Sequence, residues 1–165
     1  MKRKWKEDAV FLVLKLTVVA LVLAVMLLWV FGLARCADNT MDPYCKDGDI
    51  VLFDRTGKNY QVRDLVVISV NNQTQVRRIA AVPGDTVEIT EEGLYINGYL
   101  QQEPDSVAMT QPYAEGIRYP VILKSGEYFV LADHRANASD SRLYGAVYEN
   151  EIKGTVITLL RYRGF

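Results

Sequence analysis

The most marked hydrophobic feature of the chain is an uninterrupted run near its start. Residues 16–34 form 19 consecutive positions without a charged side chain. As an α-helix they would rise about 28 Å, enough to cross the hydrocarbon core of a bilayer. Because basic residues precede the run, the positive-inside rule places the N-terminus in the cytoplasm. The pattern predicts a cytoplasmic segment at 1–15, a transmembrane anchor at 16–34 and an extracytoplasmic domain at 35–165. The protein is then a single-pass protein of the cell membrane, in contact with the lipid bilayer. The basic residues are Lys2, Arg3, Lys4 and Lys6.

A cleavable signal peptide is the alternative interpretation of this segment. The apolar core of a signal peptide usually spans about 7 to 15 residues, which is shorter than the run in this chain. A buried helix of a soluble core is a second alternative, but such a helix normally carries a polar face, and none interrupts the run. The length and uniformity of the run therefore favour a membrane anchor.

After residue 35 the pattern changes to short apolar runs separated by turn signals, which is typical of β-strands. Asn97-Gly98 lies between two such runs and predicts a hairpin with a type I′ turn. Residues 101–119 are polar without periodicity and predict a long surface loop. No long amphipathic helix follows the anchor, so the predicted fold class is mainly β, with one transmembrane helix before an antiparallel β domain. The predicted strands are 49–53, 65–70, 76–82, 86–89, 94–96, 99–100, 127–131 and 155–162.

The charge and the cysteines of the predicted extracytoplasmic part limit its partners. Residues 35–165 carry 14 basic and 18 acidic side chains, a net charge of −4. Nucleic-acid binding favours a basic face, so we expect no nucleic-acid partner. Cys36 and Cys45 fall on the side of the membrane where a disulfide is permitted but not required, and the sequence leaves their pairing open. Their spacing does not form a metal site, and no residue pattern indicates a nucleotide or a flavin, so we expect no metal and no cofactor.

Several sequence blocks occur in an order that resembles one enzyme family. Residues 39–43 read N-T-M-D-P and residues 47–51 read D-G-D-I-V; they are similar to the S-M-x-P and G-D-x-V segments of type I signal peptidases (family S26). Residues 77–85, R-R-I-A-A-V-P-G-D, resemble K-R-V-x-G-x-P-G-D, and residues 94–98, L-Y-I-N-G, resemble the hairpin that follows it. Residues 133–142, D-H-R-A-N-A-S-D-S-R, with Gly145 and Val147 after them, resemble G-D-N-R-D-N-S-x-D-S-R-x-x-G-x-V. The order, the spacing and the preceding anchor agree, so the resemblance covers nearly the whole chain.

The resemblance implies a membrane-anchored protease with a mostly β domain that removes signal peptides from exported precursors. In this family a serine attacks the peptide carbonyl, and an unprotonated lysine accepts the serine proton. A hydroxyl group needs such a base, with a tuned pKa, within hydrogen-bond reach. Lysine can serve because burial lowers its pKa.

Four positions depart from that chemistry. The nucleophile position is Thr40, which keeps a hydroxyl group beside an added methyl group. The lysine position is Arg77, whose guanidinium has a pKa above ~12 and stays protonated. The serine that would orient the lysine corresponds to Ala138. The oxyanion-hole residue two before the nucleophile corresponds to Asp38, whose carboxylate would oppose the negative charge of the transition state. Together, the four departures predict an inactive catalytic site.

Two other arrangements of these residues are possible. His134, which stands where the family has asparagine, could act as a base for Thr40 with Asp133 or Asp140 orienting it; it could equally be a loop histidine with a local hydrogen bond. Arg77 and Asp38 could instead form an ion pair across the site and close it.

The remaining matches are expected to hold the fold and the surface around the site. Pro83, Gly84 and Asp85 predict a tight turn, and Asp140 with Arg142 a structural pair that fastens the last loop. Met41 is expected to shape an apolar rim at the membrane surface.

Three functions follow from different classes of protein. The first is a signal-peptidase-like pseudoenzyme that binds a signal-peptide-bearing precursor or a pilin and acts as an assembly factor. This chain resembles signal-peptidase homologues that lack the catalytic serine–lysine dyad and take part in pilus assembly of Gram-positive bacteria. The second is an active serine-type endopeptidase that uses Thr40 with an unusual base, and the third a membrane-anchored structural protein without peptide binding. We favour the first, with binding by strand addition at residues 49–53 and 76–82.

Overall fold

The computed structural model describes the backbone of residues 2–161 and the side chains of residues 8–161. Helix α1 (Lys2–Val30) opens the chain. Its part from Asp8 to Val30 is long and apolar enough to cross a membrane, and none of its most apolar stretch is buried against the rest of the protein. The predicted orientation depends on basic side chains at positions 2–6, which lie outside the described side chains.

The helix ends four residues before the predicted end of the anchor. Strand β1 (Phe31–Arg35) begins directly after it and pairs antiparallel with β2 (Ile50–Asp54). Gly32 allows this change of structure, because the Phe53 ring lies where a side chain at position 32 would stand. Residues 31–34, which the apolar pattern assigns to the anchor, are therefore strand.

The larger of two sheets has seven strands, all paired antiparallel, in the order β1-β2-β11-β3-β4-β9-β10. Strand β11 is an inner strand of this sheet and pairs with β2 on one side and β3 on the other. Besides β1 and β2, its members are β3 (Leu65–Val70), β4 (Gln73–Ala81), β9 (Glu127–Leu131), β10 (Val147–Tyr148) and β11 (Ile152–Leu160).

The smaller sheet has four strands in the order β7-β6-β5-β8. It comprises β5 (Thr86–Thr90), β6 (Gly93–Ile96), β7 (Tyr99–Leu100) and β8 (Val121–Ile122). The turn between β6 and β7 has φ of +54° at Asn97 and +82° at Gly98, which confirms the type I′ hairpin because that turn needs positive φ at both positions.

The turn that links the two sheets is built on residues 83–85. Gly84 has φ +94°, which glycine adopts without steric cost. The Asp85 carboxylate accepts hydrogen bonds from the Val82 amide at 3.0 Å and from the Asn97 side chain at 2.8 Å. These contacts join the turn to the β6–β7 hairpin.

Most predicted strands are confirmed, and β3 and β9 have the predicted ends. Three strands were not predicted. They are β1, which continues the apolar run of the helix, and β8 and β10, which have two residues each. The last predicted position of the closing strand, residue 162, lies outside the described residues. After α1 the described chain has one further α-helix, α2 (Ser141–Tyr144), and a 3-10 helix at Glu149–Glu151.

One of three hydrophobic clusters lies beneath the segment between β1 and β2 and supports it. It joins residues of that segment to β2, β3 and β4 and to the start of the loop after β9. Its buried members are Ala34, Cys36, Met41, Cys45, Val51, Phe53, Val67, Val76, Ala132 and Ala138.

Candidate functional site

The segment between β1 and β2, residues 36–49, carries the nucleophile position and is here called the site loop. Its base is closed by backbone hydrogen bonds: the Cys36 amide donates to the Asp49 carbonyl at 2.8 Å, and the Gly48 amide donates to the Cys36 carbonyl at 3.0 Å. A disulfide joins Cys36 to Cys45, whose Cα atoms lie 6.6 Å apart. The structure thus shows that the two cysteines are paired, which the sequence left open.

Thr40 and Asp38 bind each other inside this loop. The Thr40 hydroxyl donates to Asp38 Oδ1 at 2.5 Å, and the Thr40 amide donates to the same oxygen at 2.9 Å. Partial burial raises the pKa of the Asp38 carboxyl, but the hydrogen bonds from Thr40 and the charge of Arg77 outweigh it, and the net pKa lies below the ordinary value of 3.8. The carboxylate is therefore ionised at neutral pH and holds the threonine hydroxyl.

Arg77 extends from β4 into the interior, and its side chain is only 1% exposed. Nε donates to the Ser139 carbonyl at 2.9 Å, and Nη1 donates to the Val76 carbonyl at 2.6 Å. Nη2 lies 3.6 Å from Asp38 Oδ2. The ion pair between Arg77 and Asp38 that the sequence suggested is therefore present, and it spans the site.

Ala138 and Met41 offer the site no hydrogen-bonding side-chain donor. The Ala138 methyl group is fully buried in the same cluster as Met41. Met41 is 1% exposed, and its sulfur accepts a hydrogen bond from the Asp133 amide at 3.4 Å. The prediction that Met41 forms an apolar rim is wrong, because the loop turns its side chain into the core.

His134 lies next to Thr40 through its backbone only. Its amide donates to the Thr40 carbonyl at 2.8 Å, and its side chain is exposed. Of the two carboxylates proposed to orient the imidazole, Asp133 binds Arg78 at 2.6 and 2.8 Å, and Asp140 binds Arg142. Across the described residues the imidazole makes no hydrogen bond, so a histidine-based site is not assembled.

The loop after β9 is fastened by a buried ion pair. The Asp140 carboxylate accepts hydrogen bonds from the Arg142 guanidinium at 2.8 and 2.9 Å and from the Ala132 amide at 3.2 Å. Both side chains are at most 2% exposed. Asp140 also accepts from the Arg142 amide at 3.1 Å and so caps α2. The pair fixes the loop whose Ser139 carbonyl accepts the hydrogen bond from Arg77 Nε.

Sequence reasoning missed Tyr113, which fixes the same loop from outside. Its hydroxyl lies within 3.1 Å of the Arg135 carbonyl, the Ala138 carbonyl and the Ala138 amide, and the Arg142 guanidinium stacks 4.3 Å from its ring centre. Tyr113 lies in the polar segment 101–119, where no periodicity marks a buried contact. No pattern in that segment distinguishes it from the other tyrosines.

A narrow pocket lies between the site loop and the first half of β4. It is lined on one side by Cys36, Ala37, Asp38, Met41 and Cys45, and on the other by Thr74, Gln75, Val76 and Arg77. Its free volume is about 10 Å³, the space of about one water molecule.

Two backbone edges border this pocket. Among the strands of residues 2–161, β1 pairs only with β2. Strand β4 pairs with β9 only from Arg78 onward, so residues 73–77 have β3 as their one strand partner in the described sheet. The prediction of an edge at residues 49–53 is wrong, because β2 pairs with β1 and β11 over its whole length. The predicted edge at residues 76–82 is present only at 76 and 77, because β4 pairs with β9 from Arg78 to Ala81.

These features define a class of protein. A helix able to span a membrane precedes an antiparallel β domain. Its site combines a buried basic side chain that lines a narrow pocket with a hydroxyl side chain on the adjacent loop. This is the architecture of signal peptidase type.

Comparison with known proteins gives the family. Residues 10–160 match the family model described as signal peptidase, peptidase S26. Signal peptidase I of Bacillus amyloliquefaciens is 30% identical over an alignment of 166 positions, gaps included, that covers 91% of this chain and 87% of that protein. Signal peptidase IB of Staphylococcus aureus (strain COL) is 32% identical over an alignment of 136 positions, gaps included, that covers 72% of this chain and 71% of that protein. A crystal structure of a signal peptidase I from Enterococcus faecalis V583 has 26% identity and a TM-score of 0.48, covering 61% of this chain and 97% of that one. The chain belongs to the signal peptidase S26 family.

Proposed function

We propose that this protein is a non-catalytic member of its family, which binds an extended precursor peptide beside the membrane without cutting it. The observation that carries the proposal is the ion pair of Arg77 with Asp38, 3.6 Å apart at the centre of the site. A guanidinium cannot accept the hydroxyl proton at any physiological pH.

The threonine hydroxyl has a proton acceptor only in Asp38 among the hydrogen bonds of the described site. The pKa of that carboxyl lies below its ordinary value, whereas an effective general base has a pKa near the working pH. The same carboxylate also accepts a hydrogen bond from the Thr40 amide. That amide would have to be free to donate to the oxyanion that forms during peptide cleavage. An active endopeptidase using Thr40 would have to break both contacts first.

Peptide binding would use the free edge of β1 together with residues 73–77 of β4. Because Cys36 directs both its amide and its carbonyl toward the β2 side, strand alternation directs those of Arg35 and Ala37 to the free edge. A peptide lying along this edge, outside the narrow pocket, could add to it by main-chain hydrogen bonds.

An apolar outer face of the large sheet supports a site at the membrane surface. Leu33 of β1, Ile50 of β2 and Leu160 of β11 are exposed, and their strands are neighbours in the sheet. Leu33 lies three residues after the end of α1. This face favours a domain that rests on the membrane surface. The proposed orientation, with the N-terminus in the cytoplasm, depends on the basic residues that precede the apolar run.

The proposed ligand is a signal-peptide-bearing precursor, and we propose a pilin precursor in particular. The family supports the first part, since its members act on signal peptides. The second part depends on the resemblance of this chain to signal-peptidase homologues of Gram-positive pilus assembly that lack the dyad. Pilin and sortase genes beside the gene for this chain would support it.

The test is binding of a fluorescent signal-peptide precursor to the full chain in detergent, with cleavage followed on the same samples. Arg35→Pro removes an amide from the free edge, and we expect Kd to rise about tenfold, from the loss of roughly 1 to 1.5 kcal/mol. Arg35→Ala is the matched control, because it removes the side chain and keeps the amide. Equal binding by both variants would refute strand addition at β1, and no binding by wild type would refute the proposed function.

A further inference from the structure

The disulfide encloses the nucleophile and oxyanion-hole positions of the family. Cys36 and Cys45 stand at the two ends of a ten-residue loop that contains Asp38, Thr40 and Met41. Both half-cystines are buried, with 4% and 1% exposure. They also line the narrow pocket with Asp38 and Arg77, so the bridge is part of the wall of the site.

Besides the contacts of Asp38, Thr40 and Met41 described above, the loop has further non-covalent contacts inside the ring and to the end of β11. Inside the ring the Asp42 amide donates to the Asn39 carbonyl at 3.1 Å and the Cys45 amide to the Met41 carbonyl at 3.0 Å. From outside, Arg161 Nη2 donates to the Pro43 and Tyr44 carbonyls at 3.1 and 2.8 Å, but these contacts are exposed to solvent. Cross-linking the two ends of the loop removes open conformations of the chain, so the bridge restrains Asp38 and Thr40 in addition to these contacts.

We infer that the binding site is completed by a dithiol oxidation step, carried out outside the cytoplasm by a disulfide-bearing thiol oxidoreductase. The Cys36 and Cys45 thiols lose two protons and two electrons to form one S–S bond, and the disulfide of the oxidoreductase is reduced to a dithiol. The inference rests on the proposed extracytoplasmic position of the domain, because cytosolic thiols are kept reduced.

Burial of the sulfurs also sets the order of events. Disulfide exchange needs access of a thiolate to a sulfur atom, and the folded site loop covers both. The bridge therefore forms before the loop closes over the hydrophobic cluster. Once formed, it is protected from reductants that reach the folded protein.

The first measurement is the thiol state of the full chain from membranes, by gel shift with a maleimide polymer. All samples are denatured before labelling, because both sulfurs are buried in the folded protein. We expect no adduct after denaturation without a reductant and two adducts after denaturation with one. Dithiothreitol present during synthesis should give two adducts, whereas the same reagent added to the folded protein should give none. Two adducts on the untreated protein would overturn the inference.

The second measurement is amide hydrogen exchange in detergent for the variant Cys36→Ser, Cys45→Ser. We expect exchange of residues 37–49 to be on the order of 10 to 100 times faster, with β9 unchanged as an internal reference. Arg161→Ala is the non-covalent control and should have a smaller effect on the same residues. Equal exchange in the bridged and unbridged proteins would overturn the inference. If the double variant does not fold and β9 also loses protection, the comparison is made on wild type synthesised with dithiothreitol.

Peptide binding by the same samples separates this inference from the proposed function. If the bridge slows exchange in the site loop but neither form binds precursor, the proposed function fails and the oxidation step stands. If both forms bind equally and exchange equally, the inference fails and the proposed function stands.

Discussion

Replacing Arg77 by methionine tests the buried centre of the site. Methionine is apolar and similar in length, so Arg77→Met removes the charge and the donors while leaving little cavity. The Ser139 and Val76 carbonyls, bonded at 2.9 and 2.6 Å, lose their charged donor. A hydrogen bond to a charged group contributes about 1.5 to 3 kcal/mol. Asp38 is 44% exposed, so its loss of a partner adds less than about 1 kcal/mol.

Removing the buried charge also relieves the cost of its desolvation, which offsets part of this loss. We therefore expect Arg77→Met to lower the free energy of unfolding by about 2 to 4 kcal/mol, and Tm by roughly 4 to 16 °C. The measurement is thermal unfolding in detergent, followed by near-ultraviolet circular dichroism of the β domain.

Arg35→Met is the matched control. Arg35 also forms an ion pair, with Asp47 at 3.4 Å, but its side chain is 70% exposed. Exposed pairs contribute little, and we expect a change within about 0.5 kcal/mol. If the two variants lose the same stability, Arg77 is not a structural cation and the account of the site is wrong.

Three further predictions concern the frame of the site. Asp140→Asn leaves the Arg142 charge buried without a carboxylate, and we expect a loss of about 3 to 5 kcal/mol in urea unfolding; a loss below about 1 kcal/mol would contradict the structural pair. The Asp38 pKa is lowered by folding, so its stabilisation is present above the ordinary pKa and is lost as pH falls through the folded-state pKa. The difference in Tm between wild type and Asp38→Asn should therefore shrink on acidification below about pH 4, and a difference independent of pH would refute it. Gly32→Val places a side chain against the Phe53 ring and should cost about 1 to 3 kcal/mol; unchanged thermal stability would show that β1 does not pack as described.

The strands that could be predicted are those whose apolar runs are bounded by turn residues. β3 and β9 have this form, and their predicted ends agree with the structure. β1 could not be separated from the anchor, because an apolar run has the same composition in a helix and in a strand. Only pairing with β2, across the site loop, distinguishes the two.

The sequence predicts the positions of the candidate site and its ion pairs, Arg77 with Asp38 and Asp140 with Arg142, but not its contacts with the backbone. Spacing within the motifs located Thr40, Arg77 and Ala138. The partner of Arg77 Nε is a backbone carbonyl 62 residues away, and a carbonyl leaves no trace in the residue types. Tyr113 was missed for a related reason, since its role depends on the Ala138 backbone. Met41 was misplaced because polarity alone does not tell which way a loop residue points.

The most direct test of the central claim is cleavage of a signal-peptide precursor by the full chain in detergent. Wild type is compared with Thr40→Ala and with a restored variant carrying Asp38→Ser, Thr40→Ser, Arg77→Lys and Ala138→Ser. A lysine buried at position 77 would have a lowered pKa and could accept the serine proton. The account predicts no cleavage by wild type or Thr40→Ala and measurable cleavage by the restored variant. Cleavage by wild type that is lost in Thr40→Ala would contradict it.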